Sequence, residues 1–184
     1  MARRLRYQVA VSLDGFIAGP NGEYDWIVMD PAIDFAAMFR EFDAAVMGRK
    51  TYDAVKAMGA EWLPPGAIVF SRTEPAGVRA GVRFTAEDPA DTVRDMKRGS
   101  GKDIWLYGGG ELFRALLSAG LVDTVELAVI PVLLGAGVPL LPGGPLVSLV
   151  LSDQKVLPQS GIVALAYAVP GGVGPAPTIS YVRG

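Results

Sequence analysis

Apolar runs alternate with amphipathic stretches along most of the chain. Residues 6–13 predict a strand, closed by the turn pair Asp14-Gly15. Residues 16–18 are a short apolar stub before the loop signal Gly19-Pro20-Asn21-Gly22. Asp30-Pro31-Ala32-Ile33-Asp34 predicts a helix start, with Asp30 as N-cap and Pro31 in the first helical position. Phe35, Phe39 and Phe42 recur at helical spacing and give that helix an apolar stripe. Residues 44–47, 67–70 and 104–107 are all-apolar or aromatic runs and predict buried strands, with a shorter one over 82–84. Helices are predicted over 49–58, 89–98 and 111–119. This alternation implies a largely parallel sheet covered by helices.

After Asp123 the pattern changes. Residues 124–130, 146–156 and 162–169 read as strands without helices between them, which predicts antiparallel pairing, and 179–182 would add an edge strand. No repeat or linker divides the 184 residues, so one domain over 1–184 is expected. Residues 127–152 carry no charge and are long enough to span a membrane. Pro131, Pro139, Pro142 and Pro145 exclude a continuous helix there, so no membrane contact is expected.

Composition narrows the chemistry. The chain has no Cys and no His, which excludes a thiolate nucleophile, a disulfide, an imidazole base and a Ser-His-Asp triad. A net charge of −2 argues against a nucleic-acid surface. The knot Arg3-Arg4-Leu5-Arg6 reads as a solvated tail. The apolar run after it, Tyr7 to Leu13, lacks a small-residue cleavage site, so a cytoplasmic protein is expected. Charge is sparse after Asp103, which predicts deep core together with a subunit contact, in a homodimer.

Three strand ends carry candidate chemistry. Ile104-Trp105-Leu106-Tyr107 runs into Gly108-Gly109-Gly110 and the helix start Glu111-Leu112-Phe113, leaving helix amides open to an anion. A tight strand-to-helix turn is the alternative. Phe113 stands where a dinucleotide fingerprint needs its third spaced glycine, and Gly101-Lys102 lacks the rest of a P-loop. Gly48-Arg49-Lys50-Thr51-Tyr52 and Ser71-Arg72-Thr73 place cations and hydroxyls at two further strand ends, where ligands of open α/β sheets gather. Arg49 and Arg72, helped by Ser71 or Thr73, suit a phosphate monoester; cations solvated at strand ends are the alternative.

In this order the pieces resemble the dihydrofolate reductase fold family, and more nearly the reductase domain of bacterial riboflavin-biosynthesis proteins. The resemblance rests on Val9-Ala10-Val11-Ser12-Leu13-Asp14-Gly15-Phe16-Ile17-Ala18, on Gly48-Arg49-Lys50-Thr51-Tyr52, and on Gly108-Gly109-Gly110-Glu111-Leu112. Pro131-Val132-Leu133-Leu134-Gly135-Ala136-Gly137 extends it, and it spans about residues 6–169. It implies an α/β, dihydrofolate reductase-like mixed sheet, mostly parallel with an antiparallel C-terminal part and helices on both faces. It also implies NADPH. Gly108, Gly109, Gly110, Glu111 and Leu112 would take the pyrophosphate, with a cis peptide joining Gly108 and Gly109. Arg49, Ser71 and Arg72 would take the adenosine 2′-phosphate, with Thr73 beside them as a further cofactor-binding candidate. Gly48, Lys50 and Thr51 complete that cofactor motif, and Ala10 and Ile17 would line the nicotinamide pocket.

For the substrate half, the resemblance makes Asp34 the buried acid of the first helix, with Phe35 and Met38 as its apolar neighbours. A first-turn acid facing solvent is the alternative for Asp34. Asp14 reads as a turn residue and a substrate contact, and Trp26 as a pocket cover or as core. Tyr107 stands where riboflavin-pathway reductases carry an acid, and Leu63-Pro64-Pro65-Gly66-Ala67 lacks the Arg that holds a folate tail. The expectation is therefore an NADPH-dependent reductase of a small heterocycle or carbonyl, without a named substrate. A non-catalytic dimeric module of the same fold, binding a nucleotide or a partner, is the alternative; dihydrofolate reductase itself is a third reading, disfavoured by the absent Arg.

Overall fold

The computed structural model describes residues 2–59, 63, 64 and 66–182, so Pro65 lies outside the described residues. Eleven strands are β1 (Leu5–Ser12), β2 (Phe16–Ala18), β3 (Phe42–Gly48), β4 (Ala67–Phe70), β5 (Gly77–Arg79), β6 (Val82–Thr85), β7 (Asp103–Gly108), β8 (Thr124–Ile130), β9 (Val138–Pro139), β10 (Val150–Leu157) and β11 (Ile162–Ala168) among the described residues. The helices described are α1 (Phe35–Arg40), α2 (Arg49–Met58), α3 (Pro89–Arg98) and α4 (Gly110–Ser118). Nine strands form one sheet in the order β10-β11-β8-β1-β7-β3-β4-β6-β5, and β2 pairs with β9 in a small ribbon.

The centre of the sheet is parallel, from β8 through β1, β7, β3 and β4 to β6. Its margins are antiparallel, β5 against β6 and β11 against both β8 and β10. The sequence pattern predicts only antiparallel pairing for residues 124–130. They run parallel to β1 because α4 crosses the sheet and returns the chain in the same direction. Residues 146–149 stay outside the strand that starts at Val150. No described helix is long and apolar enough to cross a membrane.

Side chains of alternate parity build two cores. Leu5, Tyr7, Val46 and Leu106 face α3 and α4, where the Tyr7 and Phe113 rings stack at 3.9 Å. On the opposite face Ala45, Trp105, Ile130 and Ala164 lie with Met38 of α1, and Met47, Val69 and Phe84 lie with Tyr52 of α2. The sheet is thus covered by helices on both faces, as parallel strands require.

Three local expectations are corrected. First, Asp34 and not Asp30 caps α1: Asp34 Oδ1 accepts the Ala37 amide at 2.8 Å. Asp30 is buried one turn earlier and accepts the Ala32 amide at 2.8 Å. The helix starts late because the Asp34 amide donates to the Tyr181 carbonyl at 2.7 Å and Ile33 bridges Val182, which holds this segment extended. Phe42 then falls on β3 rather than on the helix.

Second, residues 179–182 join neither sheet. Ile179, Tyr181 and Val182 are buried against the face that carries Met38 and Trp105, so the tail is a strap over the core. Third, the N-terminal arginines are not a solvated tail. Arg3 pairs with Asp43, Arg4 with Asp103, and buried Arg6 holds Glu126 through two bonds of 2.8 and 2.7 Å. Glu41 adds a third bond to Arg6 at 2.5 Å. Burial opposes the Arg6 charge, but the bonds to Glu126 and then Glu41 outweigh it and raise its pKa.

Candidate active site

The sheet opens where its strand order reverses. β1 pairs with β7 over three residues only, ending at Tyr7 opposite Leu106, while its pairing with β8 continues to Ser12 opposite Ile130. Beyond Tyr7 the two central strands part at their C-terminal ends. The chain leaves β1 toward β3 on one side, and α4 carries it from β7 to β8 on the other. Ligands of open α/β sheets bind at such a crevice.

Residues expected in the nicotinamide and substrate region converge on this face. Ala10, Trp26, Phe35, Met38 and Tyr107 share one apolar cluster with the buried Trp105. The Trp105 indole donates to the Gln8 carbonyl at 3.0 Å and so packs beside the strand end where β1 and β7 part. Tyr107 lies 4.6 Å from the Trp105 ring, and burial pushes its phenol up to about 12, so it is protonated at neutral pH. Asp34 opens α1 beside Phe35, with one carboxylate oxygen already engaged as the cap.

Two expected residues stand apart from that cluster. Ile17 is half-buried on β2, in the ribbon with β9. Asp14 is exposed and accepts from the Ser12 hydroxyl at 2.6 Å and from the Leu134 and Gly135 amides at 3.0 and 2.7 Å. These bonds, Ser12 first and then Gly135, hold its carboxyl below the usual range. Asp14 therefore staples the β1–β2 turn to the 131–137 loop.

The phosphate end is built by two helix starts. Strands β3 and β7 are neighbours, and each ends in glycine before its helix: Gly48 caps α2 and Gly109 caps α4, neither with a side-chain bond to the helix amides. Helices α1 and α3, by contrast, are capped by the carboxylates of Asp34 and Asp88. The open amides of Arg49, Lys50 and Thr51 and of Gly110, Glu111 and Leu112 are hydrogen-bond donors without an intrahelical acceptor. With the helix dipoles they favour an anion. The two starts touch: a β-carbon on Gly109 would lie 3.3 Å from Thr51 Oγ1. Gly108 has φ +141, a conformation that favours glycine, and is joined to Gly109 by a cis peptide. Gly110 admits no side chain, since its β-carbon would meet the Pro139 carbonyl at 2.6 Å.

At the adjacent strand ends the expected phosphate ligands divide. Arg72 and Thr73 are exposed after β4, and Arg72 makes no hydrogen bond or ion pair among the described residues. Ser71 is buried, its hydroxyl accepting the Thr73 and Glu74 amides at 3.3 and 3.0 Å. Arg49 is engaged: Asp53 takes its Nε at 2.9 Å and Glu74 takes Nη1. Sequence reasoning misses both acids, although Asp53 is one helical turn from Arg49 and so legible by spacing.

The sequence pattern of the RibD C-terminal domain matches residues 3–161. This chain belongs to that family. It is 36% identical over 155 residues to YyaP of Bacillus subtilis (strain 168), an uncharacterized protein, covering 75% of this chain and 80% of that one. A provisionally assigned riboflavin biosynthesis protein of Shewanella sp. PV-4 has a similar structure, with TM-score 0.77 and 26% identity over 92% of this chain and 99% of that chain. A diaminohydroxyphosphoribosylaminopyrimidine deaminase/5-amino-6-(5-phosphoribosylamino)uracil reductase of Thermotoga maritima shares the fold, with TM-score 0.68 and 15% identity over 91% of this chain and 57% of that longer one. The RibD C-terminal domain family is reductase-like, and its dihydrofolate reductase-like fold is the one found here.

Proposed function

We propose that this protein is an NADPH-dependent reductase acting on a C=N or C=O bond of a small, pteridine- or pyrimidine-like substrate. The observation that carries this reading is the pair of glycine-capped helix starts meeting at Thr51 and Gly109, beside the crevice between β1 and β7. Two sets of uncapped amides suit a pyrophosphate, and glycine at both caps lets it approach the backbone. When bound, NADPH supplies the hydride, which no amino-acid side chain can. The residues proposed to hold it are 48–51 and 108–112 for the pyrophosphate, and Arg49, Ser71, Arg72 and Thr73 for the 2′-phosphate. Ala10 and Tyr107 flank the crevice. Asp34, opening α1 beside Phe35 and Met38, holds the proton or orients a water that carries it.

A titration with NADPH and NADH, followed by nicotinamide fluorescence, tests the reading. Tighter binding of NADPH, weakened by Arg72→Ala, supports it; absence of binding by either nucleotide overturns it. The second reading, a non-catalytic module of the same fold, is favoured by the double pairing of Arg49 and would show binding with no oxidation across a substrate screen.

The protein is also proposed to work as a homodimer. Leu146, Val150 and Val156 are 90%, 60% and 66% exposed on, or just before, β10, one of the sheet's two edge strands. An apolar edge of this kind calls for a cover, and a second copy supplies one. Light scattering behind a sizing column should read twice the 19.4 kDa chain mass. Val150→Lys should return the monomer.

A further inference from the structure

We infer that Glu74 competes with the adenosine 2′-phosphate for Arg49 and thereby sets the preference between NADPH and NADH; the inference rests on the cofactor reading above. Ser71 follows the last residue of β4, and its hydroxyl accepts the Glu74 amide at 3.0 Å, which fixes the backbone from which Glu74 projects. The Glu74 carboxylate is held between two arginines, on Arg49 Nη1 with one oxygen and 3.3 Å from Arg79 Nη2 with the other. Arg79 is itself anchored, donating to the Pro75 carbonyl at 2.9 Å and lying 4.1 Å over the Phe84 ring.

The two acids on Arg49 are not equivalent. Asp53, one turn along α2, takes Nε. Glu74 takes Nη1, a terminal nitrogen that a phosphate monoester would use in a bidentate bond. The Arg49 and Glu74 side chains are 37% and 31% exposed, so a ligand can reach the pair without unfolding the loop. A 2′-phosphate that takes Nη1 in this way must displace the Glu74 carboxylate and then sit near its charge. A 2′-hydroxyl meets no such conflict, because a carboxylate accepts its hydrogen bond. Glu74 should weaken NADPH binding and leave NADH binding equal or stronger.

The test compares Kd for NADPH and NADH in four proteins: wild type, Glu74→Gln, Arg49→Ala and the double variant. Glu74→Gln should tighten NADPH about fivefold, the size of a partly exposed charge pair, and should not tighten NADH. In the Arg49→Ala background the same substitution should change NADPH affinity less than about twofold, since the competition is for Arg49. Equal changes for both nucleotides, or an undiminished effect without Arg49, would overturn the role of Glu74 while leaving the cofactor reading intact. Failure of wild type and all variants to bind either nucleotide would overturn both.

Discussion

Thr51 and Gly109 join the starts of α2 and α4, with Thr51 Oγ1 3.3 Å from the place a β-carbon on Gly109 would take. A β-carbon at position 109 requires Thr51 to give by a few tenths of an ångström, and a branched side chain crowds the mouth of the proposed pyrophosphate site further. Gly109→Val should raise the Kd for NADPH about tenfold or more, roughly 1.4 kcal/mol. Adding Thr51→Ala to that variant should recover part of the loss, because the crowding atom is removed. A Gly109→Val protein that binds NADPH like wild type would place the pyrophosphate elsewhere.

Asp34 has two roles that substitution can separate. Asn caps a helix about as well as Asp, so Asp34→Asn should keep α1 and its stability while removing the acid. Turnover with any verified substrate should fall at neutral pH with NADPH affinity little changed. Asp34→Ala removes cap and acid together and should cost a further ~1 kcal/mol of stability, roughly 2–4 °C in Tm for a chain of this size. Equal turnover in wild type and Asp34→Asn would leave Asp34 a cap only.

The Arg6–Glu126 pair is a structural commitment in the core. Arg6 is 3% and Glu126 1% exposed, and Thr124 adds a 2.8 Å bond to the same carboxylate. Removing one partner strands a buried charge, so Glu126→Ala should lower unfolding free energy by about 3–5 kcal/mol in urea titrations. Glu41, at 2.5 Å from Arg6, would hold the loss toward the lower figure. The double variant Arg6→Met with Glu126→Leu should regain most of it; a double variant as unstable as the single would show that packing, not charge, dominates here.

Much of the architecture is legible in the sequence because it is local. The run of four apolar residues at 67–70 and the Asp88-Pro89 start of α3 each declare an element within a few positions. The glycine run after β7 likewise announces its turn. The misread features depend on partners far along the chain. Arg6 reads as solvated because Glu126 lies 120 residues away, and Arg49 reads as available because Glu74 lies 25 away. Asp30 has every local mark of a cap; the Tyr181 carbonyl, near the other end of the chain, moves the helix start to Asp34. Strands β5 and β9, of three and two residues, are too short for periodicity to register.

Acid sensitivity should trace to the N-terminal network. Burial pushes the Asp103 carboxyl up, but the bonds from the Arg4 side chain and amide outweigh it and hold its pKa below the ordinary value. A carboxylate depressed on folding stabilises fully above its unfolded pKa, about 3.9, and loses that contribution as pH falls through the lower folded value. Urea midpoints of wild type should therefore decline steeply below about pH 4. Asp103→Asn should be less stable at neutral pH and show a shallower acid decline. Parallel acid limbs in the two proteins would assign the sensitivity to other groups.

Backbone amide chemical shifts recorded during an NADPH titration test the location of the nucleotide, on which the proposed reductase chemistry rests, most directly. The largest shifts should fall on residues 49–51, 71–74 and 109–112, the two uncapped helix starts and the turn after β4. Shifts centred instead on Phe113, Leu117 and Val147, in the apolar groove beside α4, or no shifts at all, would contradict it.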